Sequence, residues 1–151
     1  MALKQRIQDD LKAALLGGDR FVTETLRGLK AAILNEEVAQ NKRDEGLQDA
    51  EIEQIVAKEV KKRNESATLY EQNDRAESAA DERREAEILS AYLPAQLSEE
   101  DVTSIIEAAI KQLGANGMSD MGKVIGVVKS KVGNTADGAT IAKLVKEQLT
   151  K

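Results

Sequence analysis

Carboxylates, lysines and hydroxyls must carry whatever chemistry this chain performs, because its 151 residues include neither histidine nor cysteine. Those absences exclude a thiolate nucleophile, a Ser-His-Asp relay, and a zinc site built from nitrogen and sulfur ligands. They also exclude disulfides. Carboxylates are plentiful, at 27 Asp and Glu, and pairs such as Glu36-Glu37 and Glu99-Glu100 have the composition of a magnesium site or an acid–base pair. Neighbouring residues on a helix point in different directions, however, so such pairs read as solvated surface. Gly17-Gly18-Asp19-Arg20 is too short for a P-loop and lacks its lysine and hydroxyl, so it reads as a helix stop. No catalytic centre, metal site or cofactor site is expected.

A second kind of chemistry is phosphate recognition. Residues 1–93 hold 15 basic and 20 acidic side chains, whereas 114–151 hold 6 and 3, so the sign of the charge reverses near the C-terminus although the whole chain carries −5. Lys123, Lys129, Lys131, Lys143 and Lys146 fall in that stretch, beside two expected helix N-termini whose free amides attract anions. Solvated surface lysines and a nucleic-acid patch both fit a three-charge excess. Gly122 and Gly126 lie four apart inside an expected helix, where each costs about 1 kcal/mol relative to alanine. Close packing of another helix over the bare backbone is the expected compensation; approach of a phosphate or RNA backbone is the functional alternative. Asp137-Gly138 reads as a helix start capped by Asp137, whose charge opposes an anion there.

These residues need helices to hold them, and the apolar spacing supplies helices throughout. Leu3, Ile7, Leu11, Ala14 and Leu15 recur at helical intervals until Gly17-Gly18. Leu26, Leu29, Ile33, Leu34 and Val38 mark a second helix, which fades into a loop over Asn41 to Gly46. Ile52, Ile55, Val56 and Val60 mark a third, with Asp49 as its expected cap. Between Lys61 and Glu87 large apolar residues nearly vanish while charges that pair at helical spacing persist. This predicts a projecting helical hairpin that turns near Asn73-Asp74 and returns through Ile88, Leu89, Tyr92 and Leu93, either as a solvated charged face or as a binding arm.

Pro94 ends the arm, since its ring removes a donor and disfavours helix in the preceding residue. Ser98 followed by Asp101 has capping-box spacing, and Val102, Ile105, Ile106, Ala109 and Leu113 continue as a helix to the turn Gly114-Ala115-Asn116-Gly117. Ser119 is the expected cap of the next helix, carrying Met121, Val124, Ile125, Val128 and Val132; its β-branched content makes a strand the alternative, but the spacing is helical. The last helix buries Ile141, Leu144, Val145 and Leu149. The expectation is therefore an all-α chain: an N-terminal domain of long helices with a hairpin (1–93), a linker (94–97), and a small C-terminal three-helix domain (98–151). The N-terminus opens directly on an amphipathic stretch without a leader or a long apolar run, which predicts a cytoplasmic protein with no membrane segment.

The segments Ala91-Tyr92-Leu93-Pro94-Ala95-Gln96-Leu97-Ser98, Asp120-Met121-Gly122-Lys123-Val124, and Ala136-Asp137-Gly138 through Leu144-Val145-Lys146 resemble, in order and spacing, the recurrent marks of the GatB/YqeY family. The resemblance runs along nearly the whole chain, and the arrangement is similar to that of stand-alone YqeY proteins. It implies kinship with the tail of the aspartyl/glutamyl-tRNA amidotransferase B subunit, which takes part in converting misacylated Glu-tRNA or Asp-tRNA to the Gln or Asn form; a related domain is appended to some glutaminyl-tRNA synthetases. In those settings the tail helps to hold tRNA, so the resemblance implies tRNA as a partner, together with a protein partner in aminoacylation or transamidation. Gly122, Lys123, Gly126, Asp137 and Gly138 are the family-like positions. The amidase signature and the large kinase-like domain of the amidotransferase are absent. The resemblance thus points to a non-catalytic tRNA-associated module, with an accessory role in carbon–nitrogen ligase chemistry using glutamine as amido-N-donor, or a protein–protein adaptor working through the Lys61 to Glu87 hairpin, as alternatives.

Overall fold

Helical periodicity and turn chemistry agree in the computed structural model, which describes residues 2–151 and forms, among them, seven α-helices and no strand. The chain divides into two compact units, one ending at Leu93 and the other running from Pro94 to Lys151.

In the first unit α1 (Ala2–Leu16) stops at the glycine pair, where Gly18 takes a left-handed φ of 72°. Asp19 then caps α2 (Arg20–Ala39), its Oδ1 accepting the Val22 N–H at 3.1 Å. Leu3 and Ile7 of α1 and Leu26, Leu29 and Ile33 of α2 enter a core completed by Leu47, Ile52, Val56, Leu89 and Tyr92. Each such aliphatic side chain contributes roughly 1.5–3 kcal/mol by leaving water. The apolar stripes are wider than the core that receives them: Leu15, Leu34 and Val38 remain 55%, 44% and 58% exposed. Glu37, by contrast, is buried among them, with only 2% exposure, and accepts the Lys4 ammonium at 2.5 Å.

The start of α3 (Asp49–Gln72) differs from expectation. Gln48 is the cap, and Glu51 reaches back to accept its backbone N–H at 2.8 Å, the reciprocal half of a capping box. Asp49 is already helical and commits its carboxylate to the Leu3 N–H at 3.2 Å, tying the start of α1 to that of α3. Glu51 also takes the Lys42 ammonium at 2.7 Å. That bond, followed by the one from Gln48, holds the Glu51 carboxyl below its ordinary range.

Helix α4 (Ala76–Ser90) returns along α3 after a turn at Asn73 to Arg75, in which Asp74 adopts a left-handed φ of 58°. Between 61 and 87 the buried residues are Ala67, Ala79 and Ala86. Ion pairs supplement this thin seam: Arg63 reaches Glu59 at 2.7 Å and Glu85 at 3.3 Å, and Arg83 reaches Glu71 at 2.8 Å. At the end of the unit the buried Tyr92 donates its hydroxyl to Asp10 at 2.6 Å beneath the Arg6 guanidinium. Burial, and then the Asp10 carboxylate, push the Tyr92 phenol above its ordinary range.

The second unit contains α5 (Glu99–Leu113), α6 (Met121–Val132) and α7 (Gly138–Leu149). Ser98 Oγ accepts the Asp101 N–H at 3.1 Å to begin α5, and Gly114 ends it with φ 65°. Val102, Ile106, Val124, Val128, Ile141 and Val145 lead a separate core, against which Leu97 packs while donating its N–H to Thr135 O at 2.8 Å. The β-branched segment is helical. Its expected cap, Ser119, instead lies within a short 3-10 turn (Met118–Asp120), and the N-cap position falls to Asp120. That turn adds three residues to the approach, which moves the helix start past the serine.

Candidate nucleic-acid interface

Val124, Val128 and Val132 recur every four residues, so they fix the buried face of α6 and place Gly122, Gly126 and Lys129 on the side away from the core. Lys123 and Ser130 flank that stripe and are exposed as well. A Cβ built on Gly122 or Gly126 meets no atom of a neighbouring element within 4 Å. Helix packing over these glycines, the compensation expected from sequence, is therefore corrected: no neighbouring element approaches them. What they produce is an open strip of helix backbone, free of side chains for two turns and bordered by ammonium groups.

The start of α7 lies beside this strip. Lys129 extends towards it, its Nζ 3.6 Å from the point a Cβ on Gly138 would occupy. A side chain at 138 would therefore make ordinary van der Waals contact with the lysine. Asp137 caps α7 twice over, accepting the Ala139 N–H at 2.8 Å and the Thr140 hydroxyl at 2.7 Å. Its carboxylate occupies the position an anion would take on the helix axis. A phosphate is therefore better received along the Lys129 flank than end-on. Among the described residues Lys123 and Lys129 form no ion pair with a carboxylate, although Asp137 stands near Lys129 at the start of α7.

The remaining lysines do not all join them. Lys131 turns the other way and donates to Gln112 Oε1 of α5 at 3.4 Å. Half a helical turn separates its direction from that of Lys129. Lys143 and Lys146 stand exposed along α7. Sequence reasoning grouped all five lysines on one surface and did not anticipate that Lys131 turns towards α5 or that Lys129 reaches the start of α7.

The carboxylate pairs do not converge. Glu37 is buried against Lys4 while Glu36 accepts from Gln40 at 2.7 Å, and Glu99 and Glu100 lie exposed in the first turn of α5, where they favour its positive end. Among the described residues no group of three or more Asp and Glu side chains is arranged to hold a metal ion.

Altered inheritance of mitochondria protein 41, mitochondrial, from Clavispora lusitaniae is 29% identical to this chain over 150 residues, covering 87% of the chain and 85% of that protein. A family model described as YqeY-like protein matches residues 4–149, a span that takes in both helical units, the glycine strip of α6 and the Asp137-Gly138 start of α7. The chain belongs to the YqeY-like family.

Proposed function

We propose that this protein is a non-catalytic, tRNA-associated accessory module whose second unit meets the RNA backbone along α6. The observation that carries the reading is the open strip at Gly122 and Gly126, bordered by the ammonium groups of Lys123 and Lys129, which form no ion pair among the described residues. A bare helix backbone admits a bulky polyanion closely, and two unpaired ammonium groups supply attraction that carries no sequence preference. Lys143 and Lys146 extend the positive surface along α7, whereas Lys131 serves the contact with α5. The kinship with amidotransferase tails selects tRNA among RNAs, and by that analogy the first unit engages a protein of aminoacylation or transamidation. The reading places the protein in the cytoplasm; no helix among the described residues is long and apolar enough to cross a membrane. The name of the Clavispora lusitaniae relative places that protein in mitochondria.

The test is a titration of fluorescently labelled tRNA with the full chain at a series of salt concentrations. Release of counterions by two to four phosphate contacts gives a log–log slope of roughly −1.5 to −3. Lys123→Glu with Lys129→Glu should flatten that slope and weaken binding, while Lys131→Glu should leave the slope nearly unchanged. Absence of binding at low salt sinks the proposal. Glutamine hydrolysis or tRNA-dependent amide transfer by the purified chain would replace it with an enzymatic role.

A further inference from the structure

The outer face of α1 and α2 is unlike the rest of its unit. Ile7, Ile33 and Leu34 wall a cleft of about 120 Å³ whose rim carries Lys4 and Lys30. Leu34, with Val38 one turn further along α2, leaves apolar surface in water at 44% and 58% exposure. On α1 the stripe of Lys4 and Gln8 continues at helical spacing through Lys12 to Leu15, itself 55% exposed. The carboxylate that lines the cleft, Glu37, is buried and already taken by Lys4. Arg27 pairs with Glu24. Among the described residues Lys12 and Lys30 have no ion-pair partner. A unit with more acidic than basic residues thus presents an apolar cleft with the unpaired ammonium of Lys30 on its rim and that of Lys12 one turn beyond Gln8.

We propose that this cleft is a docking site for an acidic amphipathic helix of a partner protein. Two packed helices form a trough into which the apolar stripe of a third fits, as in helix-in-groove recognition, and the charges on the rim select carboxylates on its flanks. Nucleic acid offers nothing to satisfy Leu15, Leu34 and Val38. A lipid bilayer favours a protruding apolar ridge with aromatic anchors, whereas this surface is a cleft, and the three aromatic residues, Phe21, Tyr70 and Tyr92, all lie away from its lining. The proposal is independent of the RNA reading, which concerns α6.

The full-length protein should be titrated with a fluorescein-labelled peptide of about 18 residues, long enough for five helical turns. The peptide carries leucine at helical a/d spacing with glutamate on the flanks, and its twin carries lysine at the same flanks. The acidic peptide is expected to bind at least about tenfold more tightly than the twin and to shift the amide signals of Leu15, Lys30, Leu34 and Val38. Leu34→Asp, and separately Lys12→Glu with Lys30→Glu, should each weaken binding by about tenfold or more while leaving the thermal unfolding midpoint in place. Equal affinity for the twins, shifts confined to other helices, or indifference to Leu34→Asp overturns the proposal. Self-association of the free chain that Leu34→Asp abolishes overturns it in favour of a second copy. Binding of phosphatidylglycerol vesicles, or displacement of the peptide by labelled tRNA, through the same residues overturns it in favour of those ligands.

Discussion

Replacing Gly122 and Gly126 by alanine separates stability from function in one double variant. Gly126 lies in the middle of the twelve-residue α6 and Gly122 in its first turn, and a methyl group at either position enters open space. With no steric cost, the substitution gains helix propensity and removes backbone freedom from the unfolded chain. That gain is about 1 kcal/mol at the central site and about 0.5 kcal/mol at the first-turn site. Together they amount to about 1.5 kcal/mol, equivalent to a rise of roughly 6–12 °C in the melting midpoint of a unit this small. Urea and thermal unfolding of the full chain, followed through amide signals of α5 to α7, measure it. Labelled tRNA titrated onto the same protein should bind about tenfold more weakly, because two methyl groups then stand where the RNA backbone must approach. A less stable variant would refute the open-strip geometry. A more stable variant with unchanged tRNA affinity would refute the location of the RNA contact.

Other perturbations test the supporting structure. Asp137→Ala removes both cap bonds of α7 and should lower stability by about 1 kcal/mol in urea, while low-salt tRNA affinity holds or rises because a negative charge leaves the flank of Lys129. Lys4→Met strands the Glu37 carboxylate, which is 2% exposed, and should cost about 2 kcal/mol, below the range for fully buried pairs because Lys4 itself is 29% exposed. Adding Glu37→Leu should recover most of that loss in equilibrium denaturation. Because Lys42 and the Gln48 N–H hold the folded Glu51 carboxyl below its unfolded value, its stabilisation is complete above that unfolded value and disappears as pH falls through the folded one. Glu51→Gln should therefore flatten the acid limb of the stability–pH curve, leaving wild type and variant closest at the lowest pH.

Helix positions, most turns and the separation of glycine-bounded segments were legible because they depend on local spacing and on backbone conformations that few residues adopt. Ser98 and Asp137 show this at caps, as do Gly18 and Gly114 at helix ends. Burial was less legible. Leu15, Leu34 and Val38 carry the same periodicity as Leu26 and Ile33, yet a stripe states which residues share a direction, not whether a neighbour covers them. Glu37 shows the converse: it sits one turn after Ile33 and is buried because Lys4, 33 residues away, neutralises it. Spacing did contain the Gln48 to Glu51 box, which a search restricted to Ser, Thr, Asp and Asn caps passes over. At Gly122 and Gly126 the sequence is equally compatible with a covered or an open backbone, and three-dimensional surroundings alone distinguish them.

The alanine seam of α3 and α4 has a further consequence, for motion. Three methyl groups replace the large side chains that close most helix pairs, and the bonds beside them, from Arg63 and Arg83, weaken with ionic strength. Opening free energy must therefore fall along the hairpin from the Ile52, Val56 and Leu89 end towards Asp74. The distal turns behave as a local melting unit that separates from the tip inwards while the base stays shut. Deuterium uptake should record this as a gradient of exchange rates, steepened by added salt.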